Sequence, residues 1–406
     1  MPGAPPGGTP VPPDGRLPAD ALDQLDTIPF GIYVHVPFCA SRCGYCDFNT
    51  YTATELGGGA SRDSYAGLAV AEITMARKVL GPAAPPVSTV FVGGGTPTLL
   101  RPADLAAVLG AIEAEFGLAA GAEVTTEANP ESVDQRSLAE LRAAGFTRIS
   151  IGMQSAADHV LAVLDRAHSA GRAQQCVAWA RAAGFDHVSL DLIYGTPGES
   201  GQDWDLSVRS AIEAGPDHLS AYALIVEEGT RLAARIRRGE LPPPDDDEMA
   251  DRYLAADEML AAAGLAWYEV SNWATGPEAA CRHNLLYWTG GNWWGAGPGA
   301  HSHVGGTRWW NVRHPAAYAG RITAGTSPGQ AREVLTSVER STERVMLETR
   351  LASGCPVSVL GPAGRRAAAT AVADGLADPA AYEAGRIVLT AAGRLLADAV
   401  IRALTE

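Results

Sequence analysis

From residue 31 to about residue 230 the chain repeats one pattern, an apolar extended segment followed by an amphipathic one. The extended candidates are residues 32–36, 89–93, 123–127, 148–154, 187–193 and 218–224. Between them lie stretches such as residues 104–116, where Leu105, Val108, Leu109, Ile112 and Phe116 recur at helical spacing. Several of these end at a glycine suited to the residue after a helix, as at Gly145 and Gly184. Six strand–helix units in succession require parallel strands, because each crossover helix returns the chain to the same end of the sheet. The predicted fold is therefore α/β, with a parallel sheet closed or nearly closed into a partial (β/α)6 TIM-like barrel.

In such folds the chemistry gathers at the C-terminal ends of strands. After the first strand comes a C-x3-C-x2-C loop, Cys39, Cys43 and Cys46. Gly93-Gly94-Gly95-Thr96 follows the second, and Glu127, Gln154, Asp191 and Tyr222 stand at or near the ends of the next four. Three thiolates so close together can hold an iron–sulfur cluster with one iron left open, whereas structural zinc needs four protein ligands. His35 is the one residue that could complete a zinc set, but it lies within the preceding strand, on the face of Tyr33. Glycine at 93–95 lets backbone approach a ligand closely, and Arg166 offers a fork for a carboxylate.

With 31 Lys+Arg against 46 Asp+Glu the net charge is −15, which argues against nucleic acid as a partner. Residues 1–27 are Pro/Gly-rich, lack the features of a signal peptide, and predict a disordered leader. No apolar run is long enough to span a bilayer, so a cytoplasmic location is expected, where six cysteines point to metal or cluster ligation rather than disulfides. Residues 28–240 form the predicted core and residues 241–335 an acidic linker followed by a tryptophan-rich region. Residues 336–406 read as a small helical or winged-helix-like C-terminal domain. Cys176 and Cys355 sit in Ala-rich, helical-looking contexts and are expected to be inert.

The segments YVHVPFC, FVGGGTPT, TTEANPE, ISIGMQS and DLIYGTPGE resemble, in order and spacing, the radical S-adenosylmethionine (SAM) branch that contains oxygen-independent coproporphyrinogen III dehydrogenase and the HemW-type heme chaperones. The resemblance spans roughly residues 29–310. It implies that Cys39, Cys43 and Cys46 ligate a [4Fe–4S] cluster and that Tyr33, Tyr45, Gly94, Gly95, Thr96, Glu127, Gln154, Arg166 and Asp191 line a SAM site.

Three features separate the alternatives within that branch. The dehydrogenases carry a further cysteine two residues after the third ligand, and here that position is Phe48. They also have a longer structured N-terminal extension. Residues 283–288, HNLLYW, resemble the HNxxYW heme signature of the chaperones. That likeness makes His283, Asn284, Tyr287 and Trp288, together with His301, candidate heme residues, with Cys281 a lesser ligand candidate and the nearby tryptophans as porphyrin faces. The expected function is heme delivery to acceptors such as respiratory hemoproteins, which leaves room for transient contact with membrane-bound acceptors and for a homodimer. The competing expectation is radical SAM decarboxylation of coproporphyrinogen III to protoporphyrinogen IX.

Overall fold

The computed structural model describes residues 7–406 except 24, 57–59, 167, 168 and 170. Its frame is a 13-stranded sheet in the order β1-β13-β12-β11-β10-β2-β3-β4-β5-β6-β7-β9-β8. Here β1 is Thr9–Pro10, and the expected parallel core is β2 (Phe30–Val36), β3 (Val87–Gly94), β4 (Leu118–Ala128), β5 (Arg148–Gln154), β6 (His187–Tyr194) and β7 (His218–Ala223). Helices α1 (Arg62–Leu80), α2 (Pro102–Phe116), α3 (Gln135–Ala143), the short α4 (Asp158–Val163) with α5 (Arg172–Ala183), and α6 (Gly201–Glu213) connect them. Side-chain caps fix several starts: Ser61, Asp134 and Ser200 each form a capping box at α1, α3 and α6. Gly184, at φ 84°, ends α5 in the left-handed conformation.

One alternation explains where the core lies. Along β4–β7 the residues Val124, Ile149, Ile151, Val188, Leu190, Leu192 and Leu219 point out and pack in the main apolar cluster against the helices. The residues between them, Thr125, Glu127, Arg148, Ser150, Ser189, Asp191, His218 and Ser220, line an internal cavity. The interior of this barrel is thus a polar chamber rather than a packed aliphatic core.

The linker and tryptophan-rich region after the barrel belongs to the barrel's own sheet. It continues the same sheet on both sides. After α7 (Arg231–Arg237) and α8 (Asp246–Ala262), strands β8 (Ala266–Glu269) and β9 (Asn272–Ala274) extend it beyond β7. Helix α9 (Arg282–Trp288) then leads to β10 (Asn292–Ala296), which pairs parallel with β2. Strands β11 (His301–Val304), β12 (Thr307–Asn311) and, after α10 (Pro315–Thr323), β13 (Gly329–Val334) follow antiparallel. Trp273, Trp294, Trp309 and Trp310 are buried, so these tryptophans are interior packing and not porphyrin faces. β2 and β7 do not pair, and the barrel is open.

The disordered leader is also corrected from residue 7 onward, residues 1–6 lying outside the described set. Thr9 and Pro10 pair with β13, a 3-10 turn spans Ala19–Leu22, and Leu25 is buried. A Pro-rich strand can cover a sheet edge because a missing N–H costs nothing on its free side.

The C-terminal segment has its own core, including Val345, Leu360, Ile387, Val400 and Leu404. It comprises α11 (Ser337–Glu348), α12 (Pro362–Ala373), α13 (Pro379–Glu383), α14 (Ala391–Leu395) and α15 (Ala397–Thr405), with a two-stranded sheet of β14 (Cys355–Pro356) and β15 (Arg386–Ile387). Cys355 is therefore a buried strand residue, not a helical one. Arg394 ties this unit to the barrel, donating to Asp257 and to the Tyr253 hydroxyl and lying 4.5 Å over the Trp267 ring.

Candidate functional site

The cysteine loop is pinched at its base. Tyr51 N donates to Pro37 O at 2.7 Å and Cys39 N to Tyr51 O at 3.1 Å, so residues 39–50 project as one loop from the C-terminal end of β2. Its tip is braced by Gly44, whose N–H donates to Leu164 O and whose carbonyl accepts from Leu232 N. A Cβ there would come within 2.5 Å of Asp165. Its descending arm is held by Asn49, whose Nδ2 donates to Pro298 O and Arg313 O, both at 2.9 Å.

All three loop cysteines are free thiols lining a cavity of about 760 Å³. Burial pushes the Cys39 thiol up to about 11, so a bare thiolate is disfavoured and a bound cation would have to stabilise it. Among the described residues, no three His, Cys, Asp or Glu side chains converge as the ligands of a single metal ion do. The zinc alternative also lacks its fourth ligand. His35 has one ring nitrogen 2.9 Å from the Tyr33 hydroxyl and the other 3.0 Å from Asn49 O. Burial lowers its pKa to about 4, so it is a neutral structural histidine.

The same cavity collects Tyr33 from within β2, Tyr45 from the cysteine loop, Arg166 from beyond α4, and Gly94, Gly95, Thr96, Glu127, Gln154, Asp191 and Tyr222 from at or near the ends of different strands. Gly95 shows why a side chain is excluded: its Cβ would lie 2.5 Å from Phe38 O and 3.0 Å from Cys39 Sγ. Gly94 sits at φ 112° and donates its N–H to Glu127 at 3.0 Å. Gln154 holds φ 66°, a conformation rare outside glycine and frequent where a functional site demands it. Arg166 reaches Cys43 Sγ at 3.5 Å and Gly152 O at 3.1 Å, and its buried Nε has no partner among the described residues.

Burial, and then the charge of Asp191, raise Glu127 to about 8, and burial raises Asp191 as well. Two desolvated carboxylates side by side favour a cationic ligand, because a positive charge there would return both to the ionised form. Ser150 holds Asp191 by donating to its oxygens at 3.0 Å. The deeper lining from β5, β6 and β7 was not among the residues the sequence singled out. The deeper lining, Arg148, Ser150, Ser189, His218 and Ser220, was signalled by period-two alternation of polar and aliphatic residues in RISIGMQ, HVSLDLIY and HLSAYA.

The heme candidates separate. His283, Asn284 and Tyr287 lie against the cavity on the side of the strand starts, while Trp288 and His301 do not line it. His283 is 1% exposed. Its Nδ1 is 2.8 Å from the Thr89 hydroxyl and its Nε2 2.8 Å from the Tyr287 hydroxyl. Burial lowers it to about 3. Both nitrogens are thus committed, and the residue cannot ligate iron in this arrangement. His301 is exposed, and its ring stacks on Trp310 at 5.9 Å.

Residues 33–211 match the model of the radical SAM superfamily. Over 376 residues, 93% of this chain and 95% of the relative, the sequence is 56% identical to the heme chaperone HemW of Mycobacterium tuberculosis. The chain belongs to the HemW heme chaperone family. The Escherichia coli HemW is 37% identical over 68% of this chain and 70% of its own. The coproporphyrinogen III oxidase HemN of Escherichia coli superposes with a TM-score of 0.80 over 95% of this chain and 92% of that one, at 23% identity, which speaks to the fold. For a HemW family member the radical SAM superfamily implies a [4Fe–4S] cluster and SAM. The free thiols around one cavity, the Gly95 cradle and the paired carboxylates fit those groups.

Proposed function

We propose that this protein is a heme chaperone, holding heme and handing it to acceptor hemoproteins. Cys39, Cys43 and Cys46 would hold the cluster, and the cavity residues from Tyr33 to Asp191 would hold SAM. The observation that carries the reading is the identity of 56% running through 93% of the chain, beyond the barrel and through the HNxxYW helix, to a protein named as a heme chaperone.

Geometry agrees at the loop, where Phe48 is 62% exposed and lines the cavity. The dehydrogenases carry a thiol at this position; the chain offers an apolar face instead. When bound, the cluster and SAM supply one-electron chemistry at the strand-end rim. This chain's own residues do the rest: Arg166 orients an anionic group, Glu127 and Asp191 face a cationic one, and the cysteine loop encloses the cluster. For the heme iron, His301 is the better candidate, because its ring is exposed while His283 is enclosed.

The test is an anaerobic assay of the reconstituted protein with SAM, dithionite and coproporphyrinogen III, alongside a heme titration followed by absorbance. Stoichiometric heme binding without protoporphyrinogen is the expected result, and His301→Ala is expected to weaken it. Repeated turnover to protoporphyrinogen would overturn the chaperone reading. Cys43→Ala should abolish the cluster absorbance and leave heme binding measurable.

A further inference from the structure

The HNxxYW helix is built into the cofactor chamber. Glu123, inside the start of the barrel, accepts from the main-chain N–H of Arg282 at 3.1 Å and of His283 at 3.0 Å, with the Arg148 guanidinium 3.8 Å away. Leu286 packs where β2 has Gly31: a Cβ on that glycine would meet Leu286 at 2.6 Å and the His283 ring at 3.3 Å. A side chain at position 31 would therefore push the helix out, and the sequence has removed it.

From this seat the helix presents His283, Asn284 and Tyr287 to the cavity. The His283 ring stacks on Phe91 at 5.4 Å and 27°, and Phe91 in turn stacks on Tyr33 at 6.3 Å. Tyr287 meets the His283 ring edge-on at 4.8 Å and shares a 2.8 Å hydrogen bond with its Nε2. Thr89 fixes the ring from the other side. Tyr33, Tyr287 and Glu127 all line the one cavity, so the two phenols and the carboxylate face one space.

We infer that His283 and Tyr287 are positioning residues of the SAM chamber: the HNxxYW helix forms its floor, and the Thr89–His283–Tyr287 hydrogen-bond chain sets the wall that Tyr33 and Glu127 present to the cofactor. The inference rests on the cofactor reading above and gives the motif a task separate from ligating heme iron. A hydrogen-bonded neutral imidazole enclosed on every side is suited to fixing geometry and unsuited to exchanging a metal-bound ligand.

Tyr287→Phe removes one hydroxyl and keeps the ring, and His283→Ala removes the centre of the chain. On anaerobically reconstituted protein, equilibrium dialysis should show SAM binding weakened by about three- to tenfold for Tyr287→Phe, the size of one lost hydrogen bond, and more for His283→Ala. The change that SAM induces in the electron paramagnetic resonance of the reduced cluster should be altered in both, while iron content and heme titration match the parent. If His283→Ala fails to fold, Tyr287→Phe carries the test alone. Parental SAM binding in the variants, or loss of heme with SAM binding intact, overturns the inference while leaving the cofactor reading standing. A parent protein that bound no SAM would sink both.

Discussion

Replacing Asn49 by alanine should loosen the cluster loop without touching a cluster ligand. The carboxamide makes two donations of 2.9 Å, to Pro298 O and Arg313 O, and accepts from the Tyr51 hydroxyl at 3.1 Å. Each such bond contributes about 1 kcal/mol net, and a buried carbonyl left without a donor costs about 1–3 kcal/mol. Arg313 O keeps the Tyr51 hydroxyl at 3.3 Å, so the penalty applies only at the buried Pro298 carbonyl. Asn49→Ala should therefore lose roughly 2–4 kcal/mol, concentrated between the cysteine loop and the β10–β12 side of the sheet. Since about 1.4 kcal/mol is tenfold in an equilibrium, opening of the loop should become at least tenfold more frequent.

The assay is loss of cluster absorbance in the presence of an iron chelator, run on reconstituted protein beside urea unfolding. Bleaching should accelerate at least tenfold while iron content at the start equals the parent's. Bleaching within twofold of the parent, with the urea midpoint unchanged, would show that Asn49 does not hold the loop.

Three further outcomes follow from the geometry. Gly95→Ala should prevent normal cluster reconstitution while far-ultraviolet circular dichroism stays native, because the new Cβ would meet Phe38 O and Cys39 Sγ; a full iron complement would refute the close approach. Glu72 is enclosed by Tyr318, Asn311 and the Gly297 N–H, and burial raises it from 4.5 to about 7. Its folded-state pKa lies above the unfolded one, so its contribution is full below pH about 4.5 and is lost as pH rises to about 7; Glu72→Gln should flatten the pH dependence of the unfolding free energy across that window. Arg394→Ala removes the paired donation to Asp257 and the stacking on Trp267, and should cost about 1–3 kcal/mol. Limited proteolysis should then release the C-terminal segment faster, and an unchanged digestion pattern would show that other contacts hold it.

Much of this protein is written locally. Strand–helix alternation, capping residues and glycines at helix ends depend on near neighbours, and they specify the parallel core and most of its boundaries. The cysteine spacing and the strand-end residues Glu127, Gln154 and Asp191 could be recognised for the same reason, since the end of a parallel strand is a known place in space. The polar interior was legible too, as period-two alternation, to a reader who asked which face was inside.

Tertiary structure alone decided the rest. Nothing local says that residues 266–334 divide to extend both edges of the barrel sheet, that the Pro-rich leader covers one of its ends, or that Asn49 spans to residues 298 and 313. Those are long-range pairings, chosen by which edges and apolar faces remain to be covered once the barrel has formed. His283 illustrates the difference most directly: its motif marks it as a residue that matters, but the fate of a histidine rests on what meets its two nitrogens. Here Thr89, about two hundred residues earlier in the chain, and Tyr287 occupy both, and only folding could bring Thr89 there.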